Sequence, residues 1–203
     1  MRTKYKPWAK PYLEEHQEVQ LDIASLSSLD DIYLEIGSGK GQFLLDIAKN
    51  NLSRNYIGIE RNVTCAGFTA KKLVEQEISN AKLIFDNAER VLPLFKDKSV
   101  NIIYLNFSDP WPKVRHHKRR LTASTFLNHY HRILAKDGLI IQKTDDRDLY
   151  LYSLETYEEL GYQIISKDEN YMLDKDDVLT EYEKDFRAQG LPIYRIVVKN
   201  YED

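Results

Sequence analysis

Strand-like and helix-like hydrophobic periods alternate along this chain, and that alternation leaves few folds open. Residues 31–36 (DIYLEI) read as a buried strand that runs at once into the glycine turn GSGKG. Phe43, Leu44, Ile47 and Ala48 then share one helical stripe over residues 42–49. A second strand over 55–60 (NYIGIE) precedes Asn62, a side chain suited to capping a helix in which Val63, Ala66, Ala70 and Leu73 recur at helical spacing. Further strands are predicted over 82–85 and 100–106. A helix over 124–134 buries Phe126, Leu127, Tyr130, Ile133 and Leu134, and a KDG turn leads into a strand over 139–143. The next helix places Leu151, Leu154, Tyr157 and Leu160 inward and stops at Gly161. Residues 162–166 and 193–199 supply two late strands, free to pair antiparallel. The whole predicts an α/β fold: a doubly wound, mostly parallel seven-stranded sheet with helices on both faces and an antiparallel strand at one edge.

A chain of 203 residues with 42% hydrophobic and 30% charged residues suits one soluble domain spanning residues 1–203. No apolar run reaches the length of a membrane span, and the basic N-terminus lacks the apolar core of a signal peptide. Cys65, the only cysteine, excludes an internal disulfide and a cysteine-built metal site. The five His show no spacing that recommends a metal, so none is expected. A cytoplasmic protein is the plain expectation. The net charge of −3 hides segregation: Arg2, Lys4, Lys6 and Lys10 stand without an acid in the first thirteen residues, whereas residues 145–185 hold fourteen acids against four bases. Residues 1–20 read as a loose basic arm.

The glycine turn carries the first chemical signal. Gly37, Gly39 and Gly41 follow the first strand, where glycine lets the backbone pass close to a ligand at the carboxyl edge of the sheet. Three glycines alone are a weak signal. Glu60 strengthens it, because an acid ending the second strand can accept from both hydroxyls of a ribose. Two cofactors fit such a turn. A dinucleotide fold favours G-x-G-x-x-G and a pyrophosphate at the helix N-terminus. Here the pattern is G-x-G-x-G with Glu35 two residues ahead, and that carboxylate repels a pyrophosphate but suits an ammonium and a sulfonium. S-adenosylmethionine carries both. Asn87, after the third strand, can address an adenine edge, and Ala88 leaves room for the ring.

The second signal is residues 101–120, NIIYLNFSDPWPKVRHHKRR. An apolar strand ends on Asp109, which two prolines and a tryptophan fix in place. Between Lys113 and Arg120 stand five Lys or Arg, two His and no acid. A rigid acidic corner beside a cationic strip suits chemistry on a base attached to a phosphate backbone.

With SDPWPK, the preceding LNF, RHHKRR, the later TEYE, and ends that read KPWA and PIYR, the chain resembles the bacterial tRNA (guanine-N(7)-)-methyltransferase family, which has the Rossmann-like methyltransferase fold. The resemblance implies S-adenosylmethionine as cofactor and the guanine at position 46 of the tRNA variable loop as target. It puts Glu35, Glu60, Asn87 and Asp109 on cofactor-contacting positions and Asp109 on the catalytic one. It puts Lys113, Asp145, Thr180, Glu181, Tyr182 and Glu183 on substrate-binding positions. Arg115, His116, His117, Lys118, Arg119 and Arg120 match the segment assigned to RNA contact. Asn87 departs mildly from the Asp common in relatives. Relatives work as monomers or homodimers; neither DNA nor a membrane is an expected partner. Guanine N-7 carries a lone pair and no proton, so a fixed carboxylate holding the ring suffices where a general base is not needed. Donor and purine are expected to meet in one crevice.

Structural readings stand beside several of these. Thr180-x-x-Glu183 is also a capping box before a short helix ended by Gly190. Asp145 can equally cap the helix after the fifth strand, and Trp111 is either core or a platform for a base. A small-molecule or protein amino-methyltransferase shares the sheet and cofactor but leaves the cationic strip unexplained. A nicotinamide-dependent oxidoreductase wants the longer glycine spacing and a substrate domain. A non-catalytic RNA-binding module accounts for the charge but not for Glu35, Glu60 and Asp109. About six phosphate contacts predict an affinity loss on the order of a thousandfold between about 50 and 200 mM salt.

Overall fold

The computed structural model describes residues 3–174 and 177–201. Arg2 of the basic arm and Lys175 and Asp176 of the acidic block lie outside the described residues. Seven strands, β1 (Ile32–Ile36), β2 (Asn55–Ile59), β3 (Ala81–Ile84), β4 (Val100–Asn106), β5 (Leu134–Thr144), β6 (Gln163–Asp168) and β7 (Tyr194–Lys199), form one sheet in the order β3-β2-β1-β4-β5-β7-β6. The chain divides after Lys96 into two compact units.

In the first unit β1, β2 and β3 are parallel, connected through α2 (Gln42–Asn50) and α3 (Val63–Glu75). Leu34, Ile36, Ile57, Ile59, Leu83 and Ile84 are all buried, the burial on both faces that parallel strands require. Asn62 caps α3 as its position predicts, its side-chain oxygen accepting from the N–H groups of Thr64 and Cys65. The basic arm is held to α3 ahead of its own helix: the Thr3 hydroxyl lies 3.3 Å from the Cys65 thiol, and the Lys6 N–H donates to the Thr64 hydroxyl at 3.0 Å. Helix α1 (Ala9–Glu15) lies on α3, and Gly67 permits it, since a Cβ there would come within 2.5 Å of the Ala9 Cβ. Trp8 meets Phe68 edge-on at 5.0 Å, and Gln20 bridges in parallel to Leu83. Helix periodicity did not reveal α1 because only Ala9 and Leu13 of its seven residues are buried.

In the second unit β4 and β5 are parallel, joined through α5 (Ser124–Ile133), and β7 runs antiparallel between β5 and β6. The KDG turn falls within β5. Val100 pairs with Leu134 and Ile102 with Leu139, so residues 135–138 bulge from a strand that otherwise continues. Helix α6 (Arg147–Glu159) buries Tyr157 as expected and half-buries Leu154, but corrects the rest of the expected inward face. Leu149, Tyr150, Ser153, Thr156 and Tyr157 are buried, whereas Leu151 is 41% exposed. Hydropathy misplaces this face because two hydroxyl residues on it find partners inside. Ser153 donates to the Leu149 carbonyl and joins Thr122 at 2.8 Å and Gln142 at 2.9 Å, while Thr156 donates to the Tyr152 carbonyl. Gly161, at φ 82°, ends α6 as predicted, with the Gly161 and Tyr162 N–H groups returning to the carbonyls of Glu158 and Tyr157.

Candidate active site

The glycine turn of the first unit is built for close approach. Gly37 and Gly39 hold φ of 79° and 57°, and nothing lies within 4 Å of where a side chain would start on either. Gly41, at φ 76°, starts α2, and a Cβ there would stand 2.6 Å from Thr69. Gly37 N–H donates to the Ile59 carbonyl at 2.8 Å, folding the turn over the end of β2. Glu35, in β1 just before the turn, is buried.

Glu60, directly after β2, is brought to the turn itself. One carboxylate oxygen accepts from Gly39 N–H at 2.9 Å and the other from Asn62 N–H at 2.6 Å. The Arg61 N–H bonds the same carboxylate. Burial pushes the Glu60 carboxyl above its usual range, outweighing those N–H bonds. Asn87 caps the short helix α4 (Ala88–Val91), accepting from Glu89 N–H at 3.2 Å. The cap takes one acceptor position of the amide oxygen, and the NH₂ is not used in it. Ala88 is buried. Ser38, between Gly37 and Gly39, has a buried hydroxyl with no hydrogen-bond partner. Its one signal in the sequence is that place between two glycines. The open space above Gly37 and Gly39 and the acidic Glu60 beside it fit an adenosyl cofactor with vicinal hydroxyls.

The second unit holds the acidic corner. Phe107, after β4, lies at φ 50° and turns the chain out of the sheet. Its N–H donates to the Lys143 carbonyl at 2.8 Å, and its ring stacks at 5.9 Å on Phe186 of α7 (Glu181–Ala188). Asp109 is exposed on the turn that follows. Trp111 sits at φ 43° between its two prolines, half-buried, with His116 edge-on at 5.7 Å and the Arg119 guanidinium 5.0 Å from its ring centre. Trp111 is therefore part of the corner's own packing.

The cationic strip is a 3₁₀ turn over Val114–Arg119, with Lys113 at its N-terminal cap. Lys113, Arg115, Lys118 and Arg119 are exposed; His116 and His117 are half-buried, His117 edge-on to Tyr152 at 5.4 Å. Arg120 corrects the expectation that every cation here faces phosphate. Only 3% of it is exposed, its Nε donates to the Pro110 carbonyl at 2.7 Å, and its guanidinium lies 4.4 Å from the Tyr152 ring centre.

Asp145 is exposed after β5, and the capping duty considered for it belongs to Asp146, which accepts from Leu149 N–H at 2.7 Å. Thr180 is the N-cap of α7, accepting from Glu183 N–H at 2.9 Å. Glu181 is half-buried and Tyr182 exposed. Glu183 is fully buried, bound by Arg187 at 2.7 Å and Lys143 at 3.3 Å. Lys143 reaches Asp177 as well, and Asp177 accepts from the Tyr171 hydroxyl at 2.6 Å. Burial and that bond push the Tyr171 phenol well above its usual range. The sequence gives one signal of this cluster of Lys143, Tyr171, Asp177 and Arg187, a lysine at the end of the predicted strand 139–143.

Comparison with solved structures supports the fold. The chain matches a 16S rRNA methyltransferase with a TM-score of 0.63 and 13% identity, covering 98% of this chain and 96% of that one. It matches a SAM dependent methyltransferase from Aquifex aeolicus with a TM-score of 0.61 and 12% identity, covering 98% and 100%. The architecture is thus that of the Rossmann-like methyltransferases. The model of the family described as "Putative methyltransferase" matches residues 30–196. A tRNA (guanine-N(7)-)-methyltransferase of Staphylococcus aureus is 43% identical over 209 residues, covering 98% of both chains. One from Oceanobacillus iheyensis is 40% identical over 206 residues, covering 96% of this chain and 97% of that one. The chain belongs to the tRNA (guanine-N(7)-)-methyltransferase family.

Proposed function

We propose that this protein methylates N-7 of guanine in tRNA, at position 46 of the variable loop, in the cytoplasm. S-adenosylmethionine, when bound, supplies a methyl group carried on a sulfonium. Glu60 would accept from the ribose hydroxyls, the Asn87 amide would donate to the adenine, and the Ala88 side would admit the ring. Gly37 and Gly39 leave the backbone open to the ligand, and Glu35 supplies negative charge for its cationic end. Asp109 is the catalytic residue: it accepts from the guanine ring N–H and exocyclic amine, holding the ring and favouring the positive charge that develops on the purine. No proton leaves N-7, so none has to be removed.

Asp145, Glu181 and Tyr182 complete the substrate side, with Thr180 and Glu183 holding α7 in place. Lys113, Arg115, Lys118 and Arg119 meet phosphates, and His116 and His117 add donors. The observation that carries this reading is the exposed Asp109, on a turn fixed by packed aromatics, next to a strip of exposed cations. Asp109→Asn should lower turnover on the order of a hundred- to a thousandfold while tRNA affinity stays within about twofold, because the phosphate contacts remain. Incubation with labelled S-adenosylmethionine and tRNA, followed by mapping of 7-methylguanine, measures the first; a binding titration measures the second. Near-normal turnover in the variant would remove Asp109 from the chemistry.

A further inference from the structure

The corner that presents Asp109 is strained in a way the sequence does not advertise. A residue before proline is driven toward extended backbone, yet Trp111, which precedes Pro112, lies at φ 43°. A backbone in such a region persists only where its surroundings over-determine it. A charged side chain holds the corner's backbone: Arg120 Nε donates at 2.7 Å to the Pro110 carbonyl, in the peptide that joins Pro110 to Trp111. Arg120 is itself held from three sides. Its guanidinium lies over Tyr152 of α6, its N–H donates to the His117 carbonyl at 2.9 Å, and its carbonyl accepts from Ala123 N–H at 3.0 Å. Two residues on, the Thr122 hydroxyl is bonded to Ser153 of the same helix. Helix α6 therefore anchors Arg120, and Arg120 anchors the peptide behind Trp111.

We propose that Arg120 is a positioning residue for Asp109 and not a phosphate contact, an inference that rests on the reading of Asp109 given above. The cationic strip then has a division of labour. Its exposed members draw in the RNA, and its buried last member fixes the turn on which the guanine is held. Arginine suits that task because its planar guanidinium can stack on a ring and still aim Nε at a carbonyl.

The test compares Arg120→Ala, Arg120→Lys, Tyr152→Leu and Arg115→Ala. Binding of tRNA is followed against salt without methyl donor, and turnover is followed at saturating tRNA. Arg120→Ala should keep the wild-type salt slope and lose turnover on the order of a hundredfold, the cost of misplacing a reacting group by about 1 Å. Arg120→Lys should recover part of that loss, since an ammonium can donate to the carbonyl but cannot stack as a plane. Tyr152→Leu should lose turnover with the slope unchanged, and it answers in place of Arg120→Ala if that variant does not fold. Arg115→Ala should lower the slope by about 0.7–0.9. In a Trp8→Phe background, Arg120→Ala should also make Trp111 easier to quench with acrylamide. A slope reduced as in Arg115→Ala, with turnover retained, would overturn the proposal. Wild-type protein that forms no 7-methylguanine would sink the functional reading instead, and the slope and quenching would still report whether Arg120 holds the corner.

Discussion

At Glu60 two effects oppose each other. Burial favours the neutral acid, while the N–H groups of Gly39 and Asn62 favour the carboxylate, and burial prevails. With its folded value raised, the group contributes stability that is complete below the ordinary carboxylate range and is lost as pH rises through the raised value. On the proposed reading, Glu60 accepts from the ribose hydroxyls as the carboxylate. Affinity for S-adenosylmethionine should therefore fall as pH is lowered through the raised Glu60 value, and calorimetric titration at several pH values checks this. Glu60→Gln should weaken binding by about 1.5–3 kcal/mol, the worth of hydrogen bonds to a charged group, with that acid limb removed. An unchanged acid limb in the variant would take Glu60 out of the ribose site. Glu60 and the glycines were legible in the sequence because their positions at strand ends follow from chain order. Burial of Arg120 was not, since a run of like charges gives no sign of which member turns inward.

Helix α7 combines a cap with a buried ion cluster. Thr180 satisfies the Glu183 N–H, and the Glu183 side chain is enclosed with Lys143 and Arg187. Thr180→Ala should cost about 1 kcal/mol of stability, the usual loss for an N-cap. Glu183→Gln should cost about 3–5 kcal/mol, because Lys143, itself 3% exposed, would keep a buried charge stripped of one of its two acids. Chemical denaturation of both variants measures the difference; equal losses would mean that the cluster adds nothing beyond the cap. At this scale the sequence foretold the cap, since T-x-x-E is a local pattern, and it foretold Gly190, whose φ of 69° ends the helix. It did not foretell the partners of Glu183, because β5 and the loop before α7 are distant along the chain. The same limit hid the inward face of α6, where buried hydroxyls depend on Gln142 and Thr122 from other segments. Strand order was similarly only half legible: alternation implies parallel β1, β2 and β3, whereas the place of β7 inside the edge depends on long-range pairing.

For the molecule as a whole, net charge is a poor guide to RNA affinity. At −3 the protein carries an overall repulsion toward a polyanion, so binding has to rest on local clusters. Residues 101–120 alone suggested five phosphate-facing cations in the strip, and with Arg120 buried the exposed set is Lys113, Arg115, Lys118 and Arg119. Four such contacts should contribute about −3 to the slope of log affinity against log salt, and a change from about 50 to 200 mM salt should then weaken binding roughly a hundredfold through the strip. The basic residues Lys4, Lys6 and Lys10 are exposed around α1 and can add to this only if RNA reaches them. Replacing those three by Gln therefore separates the contributions. A slope that stays near −3 assigns the electrostatics to the strip. A slope that drops by about 2 assigns the α1 region a share of the RNA, and its fixed position on α3 then makes it a second contact surface of defined geometry.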